Sequence, residues 1–285
     1  MTENAHVGDR SIFWLVMGTV FFAATPLIIA LIWKIKKKEP ISTILIGGAI
    51  FFLFALILEK PIQNLLLFPT AMGLKDHGVS IYLNRNPVLL ALMAGLFPGL
   101  FEETGRLIAF KSLLKKRKNR ETSISYGIGH GGFEVILVPG ITYIQYIVFA
   151  FMINNGTFAT LTEQVVKQAP EQLESIEAVV NVITKFSFGD LAVAVFERIF
   201  AILFHIGASI LVFYACRDSK KFLLYPLAVF LHTLLDFFAA LSLFNIIRIP
   251  IWVFEVIVVI FCISVFLGAY LLLYKKDENG FEEEV

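Results

Sequence analysis

Three of the five histidines in this chain sit inside long apolar runs, each with an acid or a base at helical spacing. They are His130 with Glu134 one turn on, His205 with Arg198 two turns back, and His232 with Asp236 one turn on. A fourth run ends in Phe101-Glu102-Glu103-Thr104-Gly105-Arg106. Ionisable groups inside a bilayer cost several kcal/mol each, so they persist where they pair, line a wet cavity or do chemistry. Arg106 lies three residues after Glu103 and four after Glu102, so on a helix it reaches either carboxylate. One glutamate held by arginine beside a second that points into a site is an arrangement suited to general-base activation of water. The bland alternative is a helix end at the interface with a snorkelling arginine.

The other clusters also admit two readings. Gly127-Ile128-Gly129-His130-Gly131-Gly132-Phe133-Glu134 is a glycine-dense helical turn that brings His130 and Glu134 against a neighbouring span; its plain alternative is helix packing with an internal His–Glu hydrogen bond. Arg198 and His205 are seven residues apart on one helix face, and His232 and Asp236 four apart, where an aspartate fixes the imidazole tautomer and raises its basicity. Any one of these pairs is ordinarily an interhelical hydrogen bond. His130, His205 and His232 together with the carboxylates also meet zinc's need for three or four N/O ligands. The strong His-Glu-x-x-His signature is absent, so both metal-dependent and metal-free chemistry stay open.

The elements that must hold these residues are apolar spans. The 285 residues are 58% hydrophobic and 16% charged with a mean hydropathy of +0.79, well short of the roughly 25% charged residues of soluble domains. The chain therefore reads as an all-α, polytopic integral membrane protein, one domain over 1–285 with a core at 87–245. Seven runs suffice to cross a bilayer, at about 11–33, 41–59, 87–110, 123–153, 190–214, 222–245 and 251–274. The first is too long for a signal-peptide core and its lysines follow it, so it reads as a retained span. The fourth is rich in Gly and Pro, so it should be tilted, kinked at Pro139 or broken. Cys216 and Cys262 offer neither a disulfide framework nor a metal-type pair, no basic domain suggests nucleic acid, and no internal repeat is evident.

Basic residues crowd alternate loops, fifteen Lys/Arg on one side and seven on the other. The positive-inside rule then puts the N-terminus outside and the acidic tail Asp277 to Val285 in the cytoplasm. The outer segments 60–86 and 154–189 carry no catalytic signal, and Pro170-Glu171-Gln172-Leu173-Glu174 reads as a helix start along the outer surface. At 1.5 Å per residue, Glu103 lies ~12 Å, His130 ~10 Å, and His205 and His232 ~16–18 Å below the cytoplasmic edge. Four spans of opposing direction thus place their ionisable residues in one layer, which scattered structural polar groups would have no need to do.

The ordered set Glu-Glu-x-x-Arg, Gly-x-Gly-His-Gly-Gly-x-Glu, Arg-x6-His and His-x3-Asp resembles the YhfC family, over about 87–245. That family is similar to an assembly of CAAX-type prenyl-protein proteases, bacteriocin-immunity (ABI) proteins and PrsW-like proteases. The resemblance implies that Glu102 and Glu103 activate water, Arg106 orients them, His205 assists the base, and His232 with Asp236 polarises the scissile carbonyl. Arg106 stands one residue nearer the glutamates than in the CAAX-type motif, Asp236 replaces a frequent Asn, and His130 and Glu134 have no counterpart in the simplest pattern. His130, Glu134 and Arg198 are supporting residues in this reading.

The expectation is therefore an intramembrane peptidase of the cell (inner or plasma) membrane, acting on membrane-embedded or membrane-proximal protein or peptide substrates. Its site faces the cytoplasm, its surroundings are membrane lipids, and zinc is a compatible cofactor. Glycines 127–132 should form the cavity wall. The rivals are a non-catalytic scaffold or immunity-type protein of the same fold and, last, a small-solute or cation transporter, which usually shows internal repeats.

Overall fold

A computed structural model of the chain describes residues 5–168 and 173–279, and all regular structure among them is helical. Among the described residues, seven helices are long and apolar enough to cross a membrane: α1 (Asp9–Lys37), α2 (Ile41–Leu67), α4 (Pro87–Leu113), α5 (Glu121–Asn154), α8 (Phe188–Arg217), α9 (Ser219–Leu243) and α10 (Ile251–Asp277). They match the seven expected runs, with α2 extending well past the residue 59 at which its apolar run stops. Short helices α3 (Gly78–Asn84), α6 (Thr157–Gln168) and α7 (Leu173–Lys185) lie in the connections. Residues 170–172 of the expected helix start lie outside the described residues, as do residues 280–285 of the acidic tail. Within α5, Pro139 falls in a π-helical stretch, Ile136–Gly140, and the helix continues to Asn154. Widening the turn accommodates the missing N–H of proline without ending the span.

The chain divides into two compact units, Met1–Pro26 with Val135–Arg198, and Leu27–Glu134 with Ile199–Val285. In the first unit the Ser11 hydroxyl donates to the Phe186 carbonyl at 2.9 Å, and the Phe22 and Tyr143 rings meet edge to face with centroids 4.9 Å apart. Asn154 exchanges hydrogen bonds with both backbone groups of Val7, at 2.8 and 2.9 Å. This unit carries α6 and α7 and, of the expected site residues, only Arg198.

All the remaining candidate residues belong to the second unit, where glycine decides how closely the helices approach. A Cβ at Gly129 would land on the Ile44 carbonyl oxygen of α2, and one at Gly127 would come within 2.6 Å of the Ile206 Cα of α8. On α4, a Cβ at Gly95 would lie 2.5 Å from the Phe237 backbone nitrogen of α9. Contact at this range needs residues without side chains and brings backbones together in the manner of small-residue membrane interfaces. The glycines expected to wall a cavity are instead seams that draw α5 against α2 and α8. A core of Phe204, Ala208, Cys262 and Val265 joins α8 to α10, and the two cysteines do not form a disulfide.

Outside the spans, Glu39 in the α1–α2 turn accepts from Asn119 Nδ2 at 2.7 Å and from Thr122 Oγ1 at 3.4 Å, fixing that turn to the start of α5. Burial, reinforced by Glu121, pushes the Glu39 carboxyl above the usual carboxylate range. Exposed apolar side chains such as Leu31, Ile57, Phe151, Ile260 and Leu272 mark faces suited to lipid.

The seam at Gly129 yields a direct test. Gly129→Ala forces backbone apart and should cost about 1–3 kcal/mol in denaturant unfolding of the detergent-solubilised protein. Gly268→Ala, with no atom within 4 Å of the added Cβ, should cost nothing.

Candidate metal and proton-transfer site

Four helices of the second unit converge on one polar cluster. From α4 come Glu102, Glu103 and Arg106; from α5 His130 and Glu134; from α8 His205; and from α9 His232 and Asp236. Glu103, Arg106 and His130 have no solvent exposure at all. Consecutive residues on a helix point about 100° apart, so the two glutamates face different partners.

Glu103 is the anchored one. Its Oε2 lies 3.1 Å from Arg106 Nε and its Oε1 lies 2.8 Å from His232 Nδ1. Arg106 then spans to α8: Nη1 donates to the His205 carbonyl and to Ser209 Oγ, both at 2.7 Å, and Nη2 donates to His205 Nδ1 at 3.2 Å. A guanidinium has no acceptor, so His205 Nδ1 must accept, and the ring proton sits on Nε2. That nitrogen lies 2.5 Å from Glu134 Oε2, the acceptor of its proton.

Glu102 faces the other way. Its Oε2 lies 2.8 Å from His130 Nε2 and 3.9 Å from His232 Nε2. His232 Nε2 also lies 3.5 Å from Asp236 Oδ2, so this imidazole bridges Glu103 to Asp236. The His130 and His205 rings stand 4.8 Å apart, centroid to centroid.

Glu102, His130 and His205 each offer a ligating atom, all within 4.8 Å of one another, and all three residues are buried. Two imidazoles and a carboxylate are the donor set of a familiar class of catalytic zinc centre, and the buried His130 Nδ1 has no hydrogen-bond partner, so the residues fit such a metal. His232, expected as a ligand beside the other two histidines, stands outside this group of mutually close ligating atoms. Glu102 takes its place.

Most of the expected residues therefore come together, but with different partners. His130 does not bond its helix neighbour Glu134; it pairs across to Glu102, and Glu134 pairs across to His205. Arg198 forms an ion pair with the adjacent Glu197, and the basic residue that His205 meets is Arg106, on α4.

Two residues of the cluster, Ser209 and Tyr126, and one further buried acid, Glu59, were not anticipated. Ser209, four residues after His205, donates to the His205 carbonyl at 2.6 Å and gives Arg106 its second oxygen. Tyr126, four residues before His130, is fully buried with its ring 5.8 Å from the Arg106 guanidinium. Both stand at helical spacing from a histidine, a signal present in the sequence. Glu59 was hidden because it closes the apolar run 41–59 and reads as a span boundary, whereas the helix continues to Leu67 and leaves it buried.

Removing the guanidinium would leave Glu103 buried and half-paired. Arg106→Met should therefore destabilise the protein by about 3–5 kcal/mol, read by denaturant unfolding in detergent.

The profile of the family described as "YhfC intramembrane metalloprotease" matches residues 21–258. A relative described as "Uncharacterized membrane protein YhfC", from Bacillus subtilis (strain 168), is 29% identical over 236 residues, covering 81% of this chain and 84% of the relative. No solved structure matches the chain.

Proposed function

The chain belongs to the YhfC intramembrane metalloprotease family, and from that premise we propose that it is a metal-dependent peptidase hydrolysing peptide bonds of membrane-embedded or membrane-proximal substrates. The observation that carries this reading is the buried convergence of Glu102, His130 and His205 within 4.8 Å. These three residues would hold the ion. A zinc-type ion bound there lowers the pKa of water toward neutrality and polarises a carbonyl oxygen.

The other side chains divide the remaining work. Glu103 is ion-paired to Arg106, hydrogen-bonded to His232 and fully buried, so with Arg106 it is a positioning residue, fixing His205 on one side and His232 on the other. Glu134, at the edge of the cluster with its side chain 17% exposed, is the carboxylate placed to accept a proton from water. His232, braced through Nδ1 by Glu103, faces Glu102 through Nε2 and is the group for the developing negative charge on the substrate carbonyl oxygen. The glutamates expected to share water activation thus part company: Glu102 holds the ion, Glu103 holds the frame.

The roles separate by experiment. Purified protein should take up one Co²⁺ with a visible d–d band, and His130→Ala, His205→Ala and Glu102→Ala should each lose the band together with cleavage of reconstituted membrane peptides, followed by mass spectrometry. Glu134→Gln should keep the band while turnover falls by roughly 10²–10⁴-fold. A Glu134→Gln variant turning over at the wild-type rate would remove Glu134 from the reaction. Absence of Co²⁺ uptake by the wild type would overturn the metal-dependent reading.

The mutual pairing of every acid and imidazole in the cluster supports a second reading, a polar brace in a non-catalytic scaffold. In that case His205→Gln and His232→Gln, which keep volume and much of the hydrogen bonding, should leave both stability and the protein's cellular role unchanged.

A further inference from the structure

Buried polar atoms without a hydrogen-bond partner gather on one side of the polar cluster. Among the described residues they include Tyr126 Oη, His130 Nδ1, Arg106 Nε and Glu103 Oε2. The side chains that carry them touch in series. Glu103 Oε2 and Arg106 Nε form an ion pair at 3.1 Å that is not aligned as a hydrogen bond. The Arg106 guanidinium lies 5.8 Å from the centre of the Tyr126 ring, and that ring lies 5.9 Å from the His130 ring, tilted by 32°. All four residues belong to the second unit, and none reaches solvent. Native interiors leave few polar atoms unmet, so four along one run of contacts mark a place where a further hydrogen-bonding group belongs.

Tyr126 is the informative member. Its ring packs on Phe110 at 4.8 Å, and Phe110 packs on Phe213 at 5.4 Å, so this side of it is apolar. A phenylalanine would fill the position without burying a hydroxyl, so the oxygen calls for a partner. His130 Nδ1 needs one as well, and Phe51, edge to face with that ring at 5.3 Å, offers nothing polar. His130 Nε2 faces Glu102 Oε2 at 2.8 Å. Toward a carboxylate, Nε2 donates its proton and Nδ1 keeps a lone pair; toward an ion, Nε2 gives its lone pair and Nδ1 carries the proton. A tyrosine hydroxyl and a water molecule each donate and accept, so the two together serve Nδ1 in either form.

We propose that Tyr126 is a positioning residue for His130: its hydroxyl, through one buried water, holds Nδ1 and so keeps Nε2 turned toward Glu102 and the ion. Its effect on the ion rests on the metal-dependent peptidase reading; its hold on His130 does not. A ligating imidazole held through its second nitrogen binds metal more tightly, because ring orientation and tautomer are set in advance. The Tyr126 ring also faces the Arg106 guanidinium, so one side chain joins the ligand on α5 to the frame on α4.

The test uses the full-length protein in neutral detergent at one fixed pH, with isotope-labelled histidine nitrogens read by NMR in the metal-free state. His130 Nδ1 should resonate as a hydrogen-bonded nitrogen. Tyr126→Phe should move that resonance to the position of an unbonded one, whereas Tyr143→Phe, in the first unit, should leave it in place. Tyr126→Phe should also bind Co²⁺ about tenfold more weakly than the wild type. A wild-type Nδ1 resonance characteristic of a free nitrogen overturns the proposal, even where Tyr126→Phe fails to fold. So does a folded Tyr126→Phe protein whose resonance or Co²⁺ affinity matches the wild type, the result expected if the ring matters for packing alone. A wild type that takes up no Co²⁺, but whose Nδ1 resonance moves in Tyr126→Phe, sinks the metal-dependent reading and leaves Tyr126 as the residue that holds His130.

Discussion

The guanidinium of Arg106 is the interaction on which the rest of the polar centre depends. It is fully buried in a segment built to lie among lipid, and a lone cation there would be prohibitive. Its position is tolerated because its charge is met by Glu103 on its own helix, and its Nη donors by the His205 carbonyl, His205 Nδ1 and Ser209 hydroxyl on α8. Satisfying the charge in this way does more than neutralise it. It fixes the tautomer of His205, fixes which oxygen of Glu103 remains for His232, and thereby orders imidazoles on two further helices.

Glycine makes that span short enough. With α5 seated against α2 through Gly129 and against α8 through Gly127, the His130 and His205 rings approach to 4.8 Å. At that separation an acid on the facing helix is a better partner than one a turn away on the same helix, because the two side chains meet head-on. The cross-pairing of His130 with Glu102 and of Glu134 with His205 follows. Packing by small residues and polar chemistry are therefore one design: a larger residue in the seam would separate the ligands as well as loosen the fold.

Much of this was legible in the sequence. Seven spans follow from apolar length alone, and the depth agreement of Glu103, His130, His205 and His232 anticipates their convergence. The partners were less legible, since spacing along a helix reports which residues share a face and says nothing of what that face meets. Thus His130–Glu134 and Arg198–His205 looked like pairs by register, yet the contacts run between helices. Glu59 was concealed for a different reason. An acid followed by Lys60-Pro61 ends an apolar run, and only the helix continuing through Pro61, tolerated near the start of the α-helical segment that follows the π stretch, shows that the acid is interior.

The adjacent glutamates show how one dipeptide can carry two jobs. Residues next to each other on a helix diverge by about 100°, so a Glu-Glu pair cannot serve as two copies of one function. Glu103 points to Arg106, its ion-pair partner at 3.1 Å, and to His232, which meets its other oxygen at 2.8 Å. Glu102 points to His130, which its Oε2 meets at 2.8 Å, and away from the Arg106 guanidinium. Arg106 at the third position after Glu103 selects which of the two is locked: the three-residue spacing aligns the guanidinium with Glu103, and the same spacing frees Glu102.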